Sequence, residues 1–454
     1  MARHAISQLA RLARRLPVLA PVLLLAGCFT DTRQSTIFPE TDTGRVIQHV
    51  YALVTWIDLA IFVFVFALLV WAVWKYRERK GQPAGLPAQV HGSQTMELVW
   101  TIIPAVILVF IAVPTWEGIF RAAAPPGQNA ITIQAVGHQW WWEFRYVGEK
   151  VVTANELHLP INRPAVIDTT SKDVIHSFWV PKLAGKIDAM PGKQNMVWFT
   201  PEKAGTYYGQ CAEFCGTSHA NMRFKVVVET EEQFKAWLER IQAPPKAETA
   251  EAKEGEVLFG QKGCIACHTI TGRADAQGQI GPNLTNLKDR TTIASALLDN
   301  TPQNLAHWIR APREIKPGAL MVLPLPVSEP ESMKLAAYLT SAPGAVAAAP
   351  AGQAMAAPAA PAGANPAVAL MQAKICWTCH IISDVPNAKG TVGPDLTHLM
   401  ARPKIVAGML DNTPANLKKW LKNPPGVKPG TAMPNLGLSD AEIDALVNHL
   451  QTYK

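Results

Sequence analysis

Charge is scarce in this chain. Asp, Glu, Lys and Arg make up 17% of its 454 residues, and 42 Lys and Arg stand against 35 Asp and Glu, with the positive charge spread along the sequence. No Lys/Arg cluster is interleaved with aromatics, which excludes a nucleic-acid-binding face. Lys and Arg are missing altogether from two long apolar runs, Val50–Trp74 and Glu97–Trp116, which argues against buried helices of a soluble core. Cysteine is scarce too, with seven residues. The two C-x-x-C-H motifs among them have no second Cys/His pair nearby, which removes the ligands a zinc site needs. What is abundant is apolar residues, 48% of the chain. That is enough for real cores and excludes wholesale disorder, and the length suits about three domains.

The N-terminus reads as an export signal over 1–27. Arg3, Arg11, Arg14 and Arg15 precede the apolar stretch "LPVLAPVLLLAG", and the stretch ends at "LAGC". That ending resembles a bacterial lipoprotein box, in which Cys28 would be lipidated and become the first mature residue. The two longer runs each exceed the roughly 20 apolar residues that span a bilayer as helix. They predict transmembrane helices over about 48–74 and 97–118, within a segment 28–121. Trp71, Trp74, Trp100 and Trp116 lie near their ends, as interfacial aromatics do. The connecting "KYRERK", Lys75–Lys80, places the loop in the cytoplasm and both outer ends in the periplasm.

Beyond Arg121 the pattern changes. Short β-rich runs such as "ITIQAVG", "PAVIDTTS" and "MRFKVVVE" alternate with turn residues and predict a small antiparallel sandwich or barrel. With the helix "EEQFKAWLERI" this domain covers 122–242. "APPKAETAEAKEG" predicts a linker, 243–252. Two segments, 253–341 and 366–454, then repeat one another across an Ala/Pro linker, 342–365. "CIACH" at Cys264 matches "CWTCH" at Cys376, "GPNLT" at Gly281 matches "GPDLT" at Gly393, and "KPGALM" at Lys316 matches "KPGTAM" at Lys428. Each pair is offset by 112 residues.

C-x-x-C-H is the haem attachment motif. Cys264 and Cys267, and likewise Cys376 and Cys379, would bond to haem vinyl groups, with His268 and His380 as axial ligands. Met321 and Met433 fit as sixth ligands, because a thioether opposite histidine is a cytochrome c arrangement. Each repeat resembles a class I cytochrome c domain. The family pattern puts proline directly after the methionine. Met433 has Pro434, whereas Met321 is followed by Val322, with Pro324 later.

Two cysteines are left over, in "GQCAEFCGTSHANM". In an oxidising compartment Cys211 and Cys215 could form a disulfide, and their number alone does not decide. Their surroundings favour a metal. His219 and Met222 follow at helical or tight-loop spacing, and "HSFWVPKL" supplies His176. Cys, His and Met together suit copper in an electron-transfer site, and two bridging thiolates could hold two ions.

At this point a resemblance takes shape. "MELVWTIIPA", "GHQWWWEFRY", "DVIHSFWVPKL" and "CAEFCGTSHANM", between about Ile47 and Val228, make this stretch similar to cytochrome c oxidase subunit II. The resemblance implies a multidomain membrane protein: a two-helix transmembrane hairpin, a cupredoxin-like Greek-key β-barrel and, from the repeats, two all-α cytochrome c domains. It implies a dinuclear CuA centre held by His176, Cys211, Glu213, Cys215, His219 and Met222, with Glu213 acting through its backbone carbonyl. The Glu213 carboxylate would face a magnesium or manganese site shared with the catalytic subunit. Trp140 would be the exposed indole at which electrons arrive from cytochrome c, and Glu97 would lie near the mouth of a proton pathway in the partner subunit. The implied partners are catalytic subunit I and other oxidase subunits, the membrane, and a donor such as a cytochrome c or a quinol–cytochrome c reductase complex.

The implied role is the subunit through which electrons enter a proton-translocating respiratory oxidase of the bacterial inner membrane. The chain has no candidate oxygen site of its own, so oxygen would be reduced in the catalytic subunit. A related nitric oxide reductase shares the hairpin and copper motif, and a membrane-tethered carrier outside any complex is a further reading. The paired helices speak against the carrier, since a lipid or a single helix would suffice as a tether.

Overall fold

The computed structural model describes residues 31–77, 92–124, 126–127, 129–149, 151–285, 287–321, 323, 325–342, 365–374, 376–385, 388, 393–428, 431, 433 and 435–454. The export signal, Cys28, the tip of the loop after Lys75, most of the Ala/Pro linker, Val322, Pro324 and Pro434 lie outside them. The chain forms two compact units, one of 1–125 with Val180–Gly185 and one of the remainder.

The first unit is a helix pair, α1 (Asp42–Tyr76) and α2 (Gln94–Ala123). Both are long and apolar enough to cross a membrane. Each extends past the expected bounds because its start is fixed by a cap and not by hydropathy. The Thr41 hydroxyl accepts from Gly44 N–H and the Ser93 hydroxyl accepts from Met96 N–H. The entry of α1 is also tied to the segment Val180–Gly185. The Thr41 hydroxyl donates to the Leu183 carbonyl, Glu40 N–H donates to the Lys182 carbonyl at 2.9 Å, and Lys182 Nζ lies 2.6 Å from Asp31 Oδ1.

The second unit begins with two five-stranded sheets. One has the order β3-β2-β1-β5-β8 and the other β4-β10-β9-β6-β7. Their strands are β1 (Ile131–His138), β2 (Trp141–Tyr146), β3 (Val151–Ala154), β4 (Glu156–Pro160), β5 (Ala165–Ser171), β6 (His176–Trp179), β7 (Ile187–Ala189), β8 (Asn195–Phe199), β9 (Gly205–Cys211) and β10 (Arg223–Glu229). The expectation of a purely antiparallel sandwich needs correction. β1 pairs with β5, and β4 with β10, in parallel. Crossover connections bring strands distant in sequence side by side, which local alternation cannot reveal. Trp142, Phe144, Phe178 and Phe224 fill the space between the sheets, with ring centroids 4.9–6.4 Å apart. Each such buried side chain contributes about 1.5–3 kcal/mol of burial.

Helix α3 (Glu231–Ile241) opens with a capping box at Thr230 and Gln233. The next stretch, expected as a free linker over 243–252, is not one. Ala243 and Pro245 are buried, Lys246 N–H donates to the Ala342 carbonyl at 3.0 Å, and α4 (Ala250–Gln261) already starts inside it, capped by Thr249. Ala, Glu and Lys are typical of solvated linkers and are also strong helix formers, so composition misled here. The first repeat continues with α5 (Pro302–Arg310) and α6 (Glu329–Leu339). The second repeats this plan with α7 (Pro366–Ala373), α8 (Pro414–Lys422) and α9 (Asp440–Leu450). Each repeat has its own core, around Phe259, Leu335 and Tyr338 in the first and Met371, Leu446 and Val447 in the second.

Candidate metal centre and haem sites

The metal centre follows from strand register. β6 and β9 pair antiparallel with Phe178 opposite Cys211, so His176, two residues upstream on β6, lies beside the end of β9. Cys211 N–H donates to the Met222 carbonyl at 2.9 Å, which closes the loop between them before β10 begins. Inside this closure Cys211 Sγ lies 3.7 Å from Cys215 Sγ and 3.9 Å from His176 Nδ1. Cys215 Sγ lies 3.6 Å from His219 Nδ1 and 3.8 Å from Met222 Sδ. The Glu213 carbonyl oxygen is 3.2 Å from Cys211 Sγ, while its carboxylate is exposed, 3.7 Å from Lys186 Nζ. All six candidate ligands therefore converge, and Glu213 turns its carbonyl inward and its carboxylate out.

The donor set fits copper: two thiols, two imidazoles and a thioether are soft to intermediate ligands. The cysteines are free and unbonded. Their separation is below twice the roughly 2.3 Å of a metal–thiolate bond, so one ion can touch both. A hydrogen bond from the Cys215 thiol holds Cys211 well below the ordinary thiol range and pushes Cys215 above it, and burial of Cys215 adds to its rise.

Several residues around these ligands were not singled out by the sequence. Asp173 Oδ1 lies 2.7 Å from His176 Nε2. That contact leaves Nδ1 facing the sulfurs, and a carboxylate in this position fixes ring orientation and raises basicity. Asp173 is itself held by Gln139 N–H at 2.6 Å and Val174 N–H at 2.7 Å. Burial, the largest single influence, depresses His176, but its contacts with Asp173 and Cys211 together outweigh it and the net shift is upward. Gly137 lies against the same ring, and a Cβ there would come within 2.6 Å of His176 Cδ2.

Trp140 departs from its expected exposure. It is 7% exposed, because the first cytochrome repeat covers it. Its indole N–H donates to the Cys215 carbonyl at 2.9 Å, and Gln139 donates to the same oxygen at 2.8 Å. Its own carbonyl accepts from Ser295 Oγ at 2.9 Å and from Lys316 Nζ.

Each repeat encloses a cavity at its C-x-x-C-H segment. The first, about 280 Å³, is lined by Cys264, Cys267, His268 and Met321, and also by Trp140 and Trp141. The second, about 520 Å³, is lined by Cys376, Cys379, His380 and Met433, and by Ala266 of the first repeat. His268 Nδ1 lies 2.8 Å from the Pro282 carbonyl, and His380 Nδ1 lies 2.8 Å from that of Pro394. Both rings thereby donate through Nδ1, which leaves Nε2 as the nitrogen with a lone pair for a metal. Burial depresses both imidazoles and so favours their neutral, ligating form. The repeated Gly-Pro now has a reason. A Cβ on Gly281 or Gly393 would lie 2.5 or 2.4 Å from the Cε1 of the facing histidine. Glu97 lies in the first turn of α2, exposed.

Comparison with known proteins gives the family. The family models for the transmembrane and the periplasmic domain of cytochrome c oxidase subunit II match residues 41–117 and 148–230. "Cytochrome c oxidase subunit 2" of Alkalihalophilus pseudofirmus is 35% identical over 335 residues, 72% of this chain and 96% of that protein. The chain belongs to the cytochrome c oxidase subunit II family. The subunit 2 of Bacillus sp. strain PS3 is 36% identical over 66% of this chain and 88% of that protein. A crystal structure of the periplasmic domain of subunit II from Bradyrhizobium japonicum, 35% identical, covers 25% of this chain and 94% of that one, with a TM-score of 0.24. The cytochrome c family model matches twice, at 252–343 and 365–454. This member of the family is therefore a haem- and copper-binding membrane protein with a cupredoxin-like domain and two cytochrome domains.

Proposed function

We propose that electrons reach this oxidase subunit at the second cytochrome repeat, move to the first, and leave through a dinuclear CuA centre toward the catalytic subunit. Trp140 carries this reading, because one residue both lines the first repeat's cavity and hydrogen-bonds the peptide of Cys215. Ala266 supports the order of the repeats, since it belongs to the first C-x-x-C-H and lines the second cavity.

His176, Cys211, Cys215, His219, Met222 and the Glu213 carbonyl would hold two copper ions. Cys264, Cys267, His268 and Met321, with Cys376, Cys379, His380 and Met433, would hold two covalent haems c. When bound, these groups supply one-electron redox centres, and oxygen reduction belongs to catalytic subunit I. Asp173 keeps the His176 ring aimed at the sulfurs, and the Trp142 ring packs edge-on against it at 6.0 Å. The Glu213 carboxylate would meet a Mg or Mn ion at the boundary with the catalytic subunit, and Glu97 would stand near that subunit's proton pathway. The location follows as the bacterial inner membrane with the soluble domains periplasmic, the chain being anchored by its helices and by lipid at Cys28. The donor would be a cytochrome c or a quinol–cytochrome c reductase complex.

Family membership favours an oxidase over a nitric oxide reductase or a free carrier. Purification with its membrane partners followed by an oxygen-uptake assay separates the three. For the copper assignment, electron paramagnetic resonance of Cys211→Ser should lack the mixed-valence two-copper pattern, because the variant loses one of the two soft thiolate donors that would hold the ion pair. An unchanged pattern in the variant contradicts the assignment.

A further inference from the structure

We propose that the two cytochrome repeats are told apart by a latch on the copper domain, built from Glu156 and the Trp140 carbonyl, which only the first repeat can engage. Glu156 opens β4 and is 2% exposed. A carboxylate buried that far is tolerated only when its oxygens are met by donors. All the donors that the structure gives it come from the first repeat. Thr291 N–H lies at 2.9 and 3.1 Å from its two oxygens, Thr292 N–H lies at 2.8 Å, and the two hydroxyls donate at 2.8 and 2.9 Å. The second anchor is the Trp140 carbonyl, which accepts from Ser295 Oγ and Lys316 Nζ, with Lys316 also donating to Ser295 Oγ at 2.7 Å.

The 112-residue offset shows what the second repeat has in these places. Thr291 becomes Pro403, Thr292 becomes Lys404, and Ser295 becomes Ala407. Proline has no N–H to give, and the lysine and alanine have no hydroxyl. Of the present donors to Glu156 only one backbone N–H would remain, the Lys404 ammonium is turned to Asp411 Oδ1 at 2.8 Å, and Trp140 would lose its serine. Lys316 has the matching Lys428, so the lysine is not what discriminates. The second repeat keeps the same local fold, with the Lys404–Ile405 and Leu410–Asp411 pair in place of Thr292–Ile293 and Leu298–Asp299. Pro403, Lys404 and Ala407 stand exposed there. The latch therefore seats one repeat over the copper loop and prevents its near-copy from competing for the seat. This goes beyond the direction of electron flow and holds whichever way electrons run.

The test is amide hydrogen exchange, read by mass spectrometry, on the full-length chain with haem and copper bound. The variant T291P/T292K/S295A gives the first repeat residues that the same fold already accommodates in the second. E156A opens the latch from the other side. In both, exchange over 139–142 and 216–220 should rise about tenfold or more, as expected when hydrogen bonds to a charged group are lost. Exchange over 131–136 and the haem absorption spectrum should stay as in wild type, which establishes that both domains remain folded. Unchanged protection over 139–142 in both variants overturns the latch. A rise in exchange with an unchanged haem-to-copper transfer rate supports the latch and counts against the electron route through Trp140.

Discussion

The indole N–H of Trp140 donates to the carbonyl oxygen of Cys215 at 2.9 Å. A side chain facing the first cytochrome cavity is thereby one hydrogen bond away from the peptide of a candidate copper ligand. On the opposite side the Trp140 carbonyl is held by Ser295 and Lys316 of the first repeat. The residue is clamped from both directions, so the first repeat and the two-sheet domain meet here at a fixed geometry.

Asp173 positions His176 and is expected to act through it. Asp173→Asn should weaken copper binding about 10- to 100-fold, the usual cost of losing such a partner. Competition with a chromogenic copper chelator reads this directly. An affinity equal to wild type would mean that the 2.7 Å contact to His176 Nε2 does not orient the ring.

The sequence made the repeats and both haem motifs legible because those signals are local. The constant offset of 112 residues and C-x-x-C-H need no tertiary knowledge. The candidate copper ligands were legible through the spacing of Cys211, Cys215, His219 and Met222 and through His176 upstream, while Glu213 joined them by resemblance. Asp173, Glu156 and Lys316 were not legible. Each is an ordinary charged residue whose role comes from what a distant segment brings to it. Trp140 was legible as a site but not in its exposure, because no local pattern says that the first repeat lies over it. The linker around Pro244 misled for the opposite reason, since its composition reads as solvated and its backbone is packed.

Both methionines line their cavities, so both haems should display the iron–sulfur charge-transfer band in magnetic circular dichroism. Met433→His should remove the band from the second haem, and Met321→His from the first. A wild-type band from one haem alone would show that Met321 does not ligate.

Burial drives Lys316 down to about 7 from its ordinary 10.5, with the nearby Cys215 opposing weakly. Between these values the unfolded or undocked lysine is protonated and the docked one is not, so the undocked state binds more protons. Stability of the docked state must then rise with pH from about 7 to 10.5 and level off outside that window. Exchange protection over 139–142 in the copper-free chain should follow this course. Lys316→Met should flatten it, and a pH dependence retained in that variant would assign it to another group.

Flash-induced electron transfer in the purified full-length chain, followed separately at haem and copper bands, tests the route most directly. Trp140→Ala should slow haem-to-copper transfer while leaving reduction of the second haem by an external donor at its wild-type rate. Transfer to copper at the wild-type rate in the variant would contradict the account and make Trp140 a packing residue.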